Sequence, residues 1–325
     1  LAKSITQQFP QHQFAWKVLA AVLKQTGRIS ESLIVSQKSV QLDLQDAGAH
    51  YNLGATLQEL RRLEEAEASY KQSITLKPDF AEVHHNLGVI LQAKGRLKEA
   101  EASYRQSITL NPNLAKAHNN LGIIMKKQGR LEEAETSFRQ AIKLKPNLAQ
   151  AHNNLGIIMK ELGRLEEAFS AFIKAIDLNP DFTDAYANFA IAIKKVRFTS
   201  SNVKLYPLLI QIINNGNYVR PLDLAPSILS LLKHDPLVKD LLLEENFATN
   251  LKDANTIISS LDKVTLLHHI MRVSRLPDLQ FEKFFVNIRS FILTNLDNFK
   301  ATPEFIHFLS SLSLHCFTNE YIYFE

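Results

Sequence analysis

A chain of 325 residues with 46% hydrophobic side chains can hold one large domain or two around a continuous core. A net charge of only +4 excludes the strong basic stripe of a nucleic-acid binder, and no apolar run approaches the roughly 20 residues of a membrane span. The single cysteine, Cys316, excludes an internal disulfide and suits a reducing, cytoplasmic compartment.

The start, Leu1-Ala2-Lys3-Ser4, has neither an initiating methionine nor a signal-peptide pattern, as expected of a fragment of something longer. Residues 1–12 read as the second helix of a repeat whose first helix is missing, ended by Pro10. A period then takes over. The block His118-Asn119-Asn120-Leu121-Gly122-Ile123-Ile124-Met125 recurs 34 residues later from His152, and looser copies start at His84 and His50. Full repeats are expected at 13–46, 47–80, 81–114, 115–148 and 149–182, with a final first helix at 183–196. A fixed period of this length means a solenoid, in which each repeat buries its apolar face by stacking on its neighbours.

Each repeat has two apolar-periodic segments joined at Gly95, Gly129 or Gly163, where glycine ends one helix before the next begins. Small residues mark close helix approach: Gly54, Gly88, Gly122 and Gly156 in the first helix, Ala66, Ala100, Ala134 and Ala168 in the second. The bulky partners are Tyr70, Tyr104, Phe138 and Phe172, and Pro78, Pro112, Pro146 and Pro180 close the repeats. Repeat 13–46 departs from this, with Ser36 for the aromatic and Leu44 for the proline, and Arg61 stands where repeat 47–80 needs its turn glycine.

The leucine–glycine pair, the second-helix alanine, the aromatic four residues on and the closing proline resemble the tetratricopeptide repeat family over about 1–196. The resemblance implies an all-α, right-handed superhelical solenoid with the first helices lining a concave groove. In that fold positions three, four, seven, eight and eleven of the first helix are packed, leaving two, six, nine and thirteen on the inner face. Position six is Asn52, Asn86, Asn120, Asn154 and Asn188. An amide both donates and accepts, so the ladder suits the backbone of an extended peptide, as in the similar ladders of O-linked N-acetylglucosamine transferases. It equally suits a bond to the neighbouring repeat. Position nine is apolar (Ala55, Val89, Ile123, Ile157, Ile191), and Lys126, Lys127, Lys160, Lys194 and Lys195 follow it. A groove so lined suits a segment carrying carboxylates, and it equally suits a solvated face, since lysine keeps its charge in water wherever it can. The carboxylate clamp of chaperone-binding members is not matched, because Tyr51, His85, Asn119 and Asn153 stand where its first lysine would be.

His50, His84, His118 and His152 each lie a full repeat apart, too far to converge on one ion, and are expected to be partly buried structural residues. His84-His85 and His268-His269 are adjacent pairs that diverge on a helix, so no zinc site, and no cofactor, is expected.

Composition changes near residue 183: nine of ten glycines precede it and 12 of 19 phenylalanines follow it. A separate helical region is therefore expected at 203–325. Leu205 to Ile213 is apolar up to the turn signal Asn214-Asn215-Gly216; Pro221 opens a segment to about Lys233; and Pro236 starts another to about Leu243. Residues 255–272 read as one or two short helices. Asp278 caps an amphipathic helix carrying Phe281, Phe284, Phe285, Ile288, Phe291 and Ile292, and Thr302-Pro303-Glu304 starts another. Only 321–324 alternates like a strand. No phosphate loop, nucleophile elbow or dinucleotide fingerprint occurs, and Cys316 beside His315 reads as core.

Segments 266–289 and 308–323 resemble the linker that precedes the S-adenosylmethionine-dependent catalytic domain in bacterial proteins joining these repeats to a methyltransferase. The sequence thus points to a scaffold without chemistry of its own, binding a protein or peptide, with no nucleic acid or membrane as partner. Its alternative is the substrate-recruiting part of a larger enzyme, a methyltransferase or an O-linked glycosyltransferase. The pattern sets no oligomeric state.

Overall fold

The computed structural model describes residues 2–215, 218–243, 251–274, 276–299 and 301–320. Among these every regular element is helical. The chain divides into two compact units, residues 1–164 and 165–325.

The first unit begins with α1 (Ala2–Gln8), followed by helix pairs. These are α2 (Gln13–Gln25) with α3 (Ile29–Leu42), α4 (Ala47–Glu59) with α5 (Leu63–Leu76), and α6 (Ala81–Ala93) with α7 (Leu97–Leu110). Then come α8 (Ala115–Lys127) with α9 (Leu131–Leu144), and α10 (Ala149–Glu161). Each helix packs on its successor in a solenoid-like stack.

The core follows the 34-residue rule. Ala66, Tyr70, Ala100, Tyr104, Ala134 and Phe138 are fully buried. A methyl group on Gly88 would lie 2.7 Å from the Tyr104 ring, and one on Gly122 would lie 2.7 Å from Phe138. Hydrogen is the only side chain those positions accept without displacing a ring. In the first pair the aromatic is absent, and the buried Ser36 hydroxyl has no hydrogen-bond partner, a cost of the kind an orphaned polar group carries. The expected packed set needs one adjustment. Position ten is buried (Ile90, Ile124, Ile158), whereas position four is half-buried.

Gly95, Gly129 and Gly163 close the first helices with φ of 74°, 76° and 78°, and Arg61 adopts the same left-handed turn at 59°. A β-carbon is disfavoured in that conformation. Arg61→Gly is therefore expected to stabilise the unit by about 1 kcal/mol, read as a higher urea midpoint at unchanged slope.

The second unit holds α11 (Leu165–Leu178), α12 (Thr183–Ile193), α13 (Tyr206–Asn215) and α14 (Pro221–Leu232). It continues with α15 (Leu251–Asp262), α16 (Thr265–Val273), α17 (Leu279–Thr294) and α18 (Pro303–Glu320). Asp278 caps α17 by accepting from the amides of Gln280 and Phe281, and Thr302 Oγ1 accepts from Phe305 N at the start of α18. The segment expected to be helical at 236–243 is a run of turns. Asp235 organises it, accepting from the Leu237 amide at 2.8 Å and the Tyr206 hydroxyl at 2.6 Å. The strand-like stretch 321–324, Gly216 and the Cys316 side chain lie outside the described residues.

Candidate functional site

Within the first unit, α2, α4, α6 and α8 each touch the first helix of the next repeat, and α2, α4, α6, α8 and α10 also touch the second helix of their own or the preceding one. The second helices have no comparable contact with one another. First helices are thus the more closely spaced row and form the inner wall. Along it Val89, Ile123 and Ile157 are half-buried, Ala55 is buried, and Lys126 and Lys160 are half-buried. Neither lysine has a carboxylate partner among the described residues. Lys194, by contrast, is 3.0 Å from Asp223 inside the second unit.

The asparagines at position six are half-buried, and three of them reach back 35 residues to position five of the preceding repeat. Asn154 Nδ2 donates to Asn119 Oδ1 at 3.1 Å, Asn120 Nδ2 to His85 Nε2 at 3.1 Å, and Asn86 Nδ2 to the Tyr51 hydroxyl at 3.5 Å. Adjacent side chains link these rungs: Asn119 Nδ2 donates to Asn120 Oδ1 at 3.2 Å, and His85 Nδ1 lies 3.0 Å from Asn86 Oδ1. The bonds run head to tail in one direction, Asn154–Asn119–Asn120–His85–Asn86–Tyr51. That direction assigns the tautomer of His85: Nε2 accepts from Asn120, so Nδ1 carries the hydrogen and donates to Asn86. Burial also pushes the proton affinity of His85 down, which keeps Nε2 free to accept.

Asn52 has no such rung. Lys17 stands 35 residues before it, and its ammonium is 2.6 Å from Asp46. Asn188 is half-buried on α12 of the second unit. Tyr51, His85 and Asn119 at position five, which do not match a clamp lysine, are thus the partners that organise the ladder. Their spacing of 35 residues from the asparagines was the available signal.

The repeat histidines do not converge. Each places Nε2 on a carbonyl at the end of the preceding repeat: His50 on Leu44, His84 on Pro78, His118 on Pro112 and His152 on Pro146, at 2.9–3.1 Å. On the other row, the turn arginine grips the preceding repeat. Arg96 Nη1 is 2.7 Å from Glu67, Arg130 Nη1 is 3.0 Å from Glu101, and Arg164 Nη1 is 2.8 Å from Glu135. Glu67 also takes Lys71 and Lys94. Although its own burial opposes ionisation, these three cations hold its carboxyl down at about 2.

The helix pairs of constant length, the positive-φ turns and the glycine–aromatic contacts coincide with matches to the tetratricopeptide repeat model at 45–113, 79–147 and 113–181. Residues 45–181 are tetratricopeptide repeats. The chain is similar to PilF of Pseudomonas aeruginosa, at 17% identity and a TM-score of 0.52 over 69% of this chain and 92% of that one. It is also similar to the Cut9–Hcn1 hetero-tetramer of the APC/C, at 16% identity and 0.55 over 80% and 45%. A third similarity is to YrrB, described as a tetratricopeptide protein with an unusual peptide-binding site, at 22% identity and 0.47 over 57% and 95%. At these identities the likeness concerns the fold. No curated protein matches the chain. Tetratricopeptide arrays are protein-interaction scaffolds, and no catalytic domain is in evidence among the described residues. Nor, among those residues, is any helix long and apolar enough to cross a membrane.

Proposed function

We propose that the first helices of repeats 47–161 hold an extended peptide rich in carboxylates. The observation that carries this reading is the hydrogen-bonded asparagine ladder. Each rung uses one amide hydrogen, and an amide has two hydrogens and two lone pairs. The half-buried Asn86, Asn120 and Asn154 therefore keep capacity for a peptide backbone while their neighbours hold them in orientation. Such preorganisation lowers the ordering cost of binding. Ile123 and Ile157 would take apolar side chains, and Lys126 and Lys160 would pair with acidic ones.

Alanine at the three asparagines also removes inter-repeat bonds, so the sharper test reverses charge. Across a peptide array, Lys126→Glu with Lys160→Glu is expected to weaken acidic peptides by about tenfold, or 1.4 kcal/mol, with the loss shrinking as salt rises. Ile123→Ser with Ile157→Ser should weaken acidic and neutral peptides alike. Unchanged affinity in both double variants, at unchanged thermal midpoint, would sink the groove assignment.

A second reading keeps the same groove as the recruiting part of a methyltransferase. What favours it is that the two linker-like blocks pack together, with His268 of α16 2.9 Å from Ser311 of α18. A catalytic domain encoded downstream of Glu325 is the expected finding; a stop codon there removes this version.

A further inference from the structure

Three donors from three helices of the second unit meet at one point: Asp262 at the end of α15, His268 on α16 and His307 on α18. Their ligand atoms all lie within 4.8 Å of one another. His307 Nδ1 is 2.6 Å from Asp262 Oδ1, and His268 Nε2 is 3.6 Å from the same oxygen. The rings of His268 and His307 are 4.5 Å apart. His268 is 1% exposed, yet its Nε2 has no hydrogen-bond partner.

Ser311 holds the other side of that ring. Its Oγ lies 3.3 Å from the His307 carbonyl and accepts from Arg272 Nε at 3.1 Å. His268 Nδ1 is 2.9 Å from the same Oγ, so that side of the ring is held and Nε2 is the nitrogen that faces Asp262. Nε2 is buried, without a hydrogen-bond partner, and turned toward a carboxylate oxygen. Potential ligand atoms that face one another beside a buried ring suit a cation between them. A ligating histidine whose other nitrogen donates to a fixed oxygen is the usual support for a bound metal.

We propose that Asp262, His268 and His307 bind a divalent transition-metal cation, zinc foremost. Two imidazoles and one carboxylate are borderline donors that suit such ions and not calcium or magnesium. Zinc at about 2.0–2.1 Å from each ligand places tetrahedral donors roughly 3.3–3.5 Å apart. The His268–Asp262 separation already fits. The His307–Asp262 contact must open by somewhat under 1 Å, which the exposed His307 ring permits, its hydrogen moving from Nδ1 to Nε2. Water fills the fourth position on that exposed side. The ion would tie α15, α16 and α18 together.

In sequence His268 pairs only with His269, which diverges from it on the helix. His269 Nδ1 indeed turns to the Thr265 carbonyl, but the partners of His268 come from six residues before and 39 after.

The test titrates the metal-free full chain with Zn²⁺, and with Co²⁺ as a spectroscopic probe. One equivalent of cobalt should produce the intense visible bands of a tetrahedral site and be displaced by zinc. His307→Gln and Asp262→Asn should each weaken binding by more than about 100-fold, and Ser311→Ala by about 10- to 100-fold. His118→Gln should leave it unchanged. Because His307 is exposed, its variant should keep the parent circular dichroism. Absence of the cobalt bands, or bands indifferent to His307→Gln and Asp262→Asn, overturns the assignment.

Discussion

Phe138→Ala is expected to cost about 3–5 kcal/mol, the largest effect of any single change in the array. The ring is fully buried and fills the space opposite Gly122, so truncation leaves a cavity between the two helices of the repeat. The converse change tests the same contact from the other side. Gly122→Ala places a methyl 2.7 Å from that ring, an overpacking of about 1–3 kcal/mol. The gain in helix propensity, at most about 1 kcal/mol, offsets only part of it. Phe138→Leu should relieve the clash, so the double variant is expected to be more stable than the two single losses add up to. Equilibrium urea denaturation would measure all three. A Gly122→Ala protein as stable as the parent would show that the ring can move and that the contact is not tight. Because each repeat is held by its neighbours, Phe138→Ala should also broaden or split the unfolding transition.

Acid is expected to loosen the same stack through the glutamates of its outer row. Glu67 in the folded chain ionises at about 2, below the 4.5 of an ordinary glutamate. A depressed folded value means the stabilisation is complete above about pH 4.5 and is lost as pH falls toward 2. At about 1.4 kcal/mol per pH unit the ceiling is near 3 kcal/mol. Lys71 is 57% exposed and Arg96 34%, so solvent screening should reduce it to about 1–2 kcal/mol. Glu67→Gln should therefore lower stability at pH 7 by that amount and match the parent near pH 2. A gap between parent and variant that is independent of pH would disprove the ion-pair origin. Glu101, also held below its ordinary value, repeats the device one repeat later, so the parent's own acid sensitivity should exceed the effect of Glu67 alone.

Much of the site was legible in part. The stripe of Asn86, Asn120 and Asn154 follows from period alone, because residues 34 apart in a regular stack occupy equivalent positions. Its bonding partners do not, since whether an amide reaches position five of the previous repeat depends on how closely two helices approach. His85 had no assignable tautomer until Asn120 was seen donating to it. The repeat histidines read as structural residues, and their carbonyl partners at Leu44, Pro78, Pro112 and Pro146 give that reading a mechanism. In the second unit, helix starts at Pro221, Asp278 and Thr302 were readable from local capping chemistry. The turns at 236–243 were not, because Asp235 is anchored by Tyr206, a residue 29 positions away.

The sequence by itself determined the helix pairs, their 34-residue register, and the glycine–aromatic contacts within each pair. These depend on interactions among near neighbours, and a repeat states the same rule several times. Only the tertiary structure decided which amides join into a continuous ladder, which glutamates are clamped, and that Asp262, His268 and His307 share one point. Those arrangements depend on distances between helices far apart in the chain, and no periodicity runs through the second unit to report them.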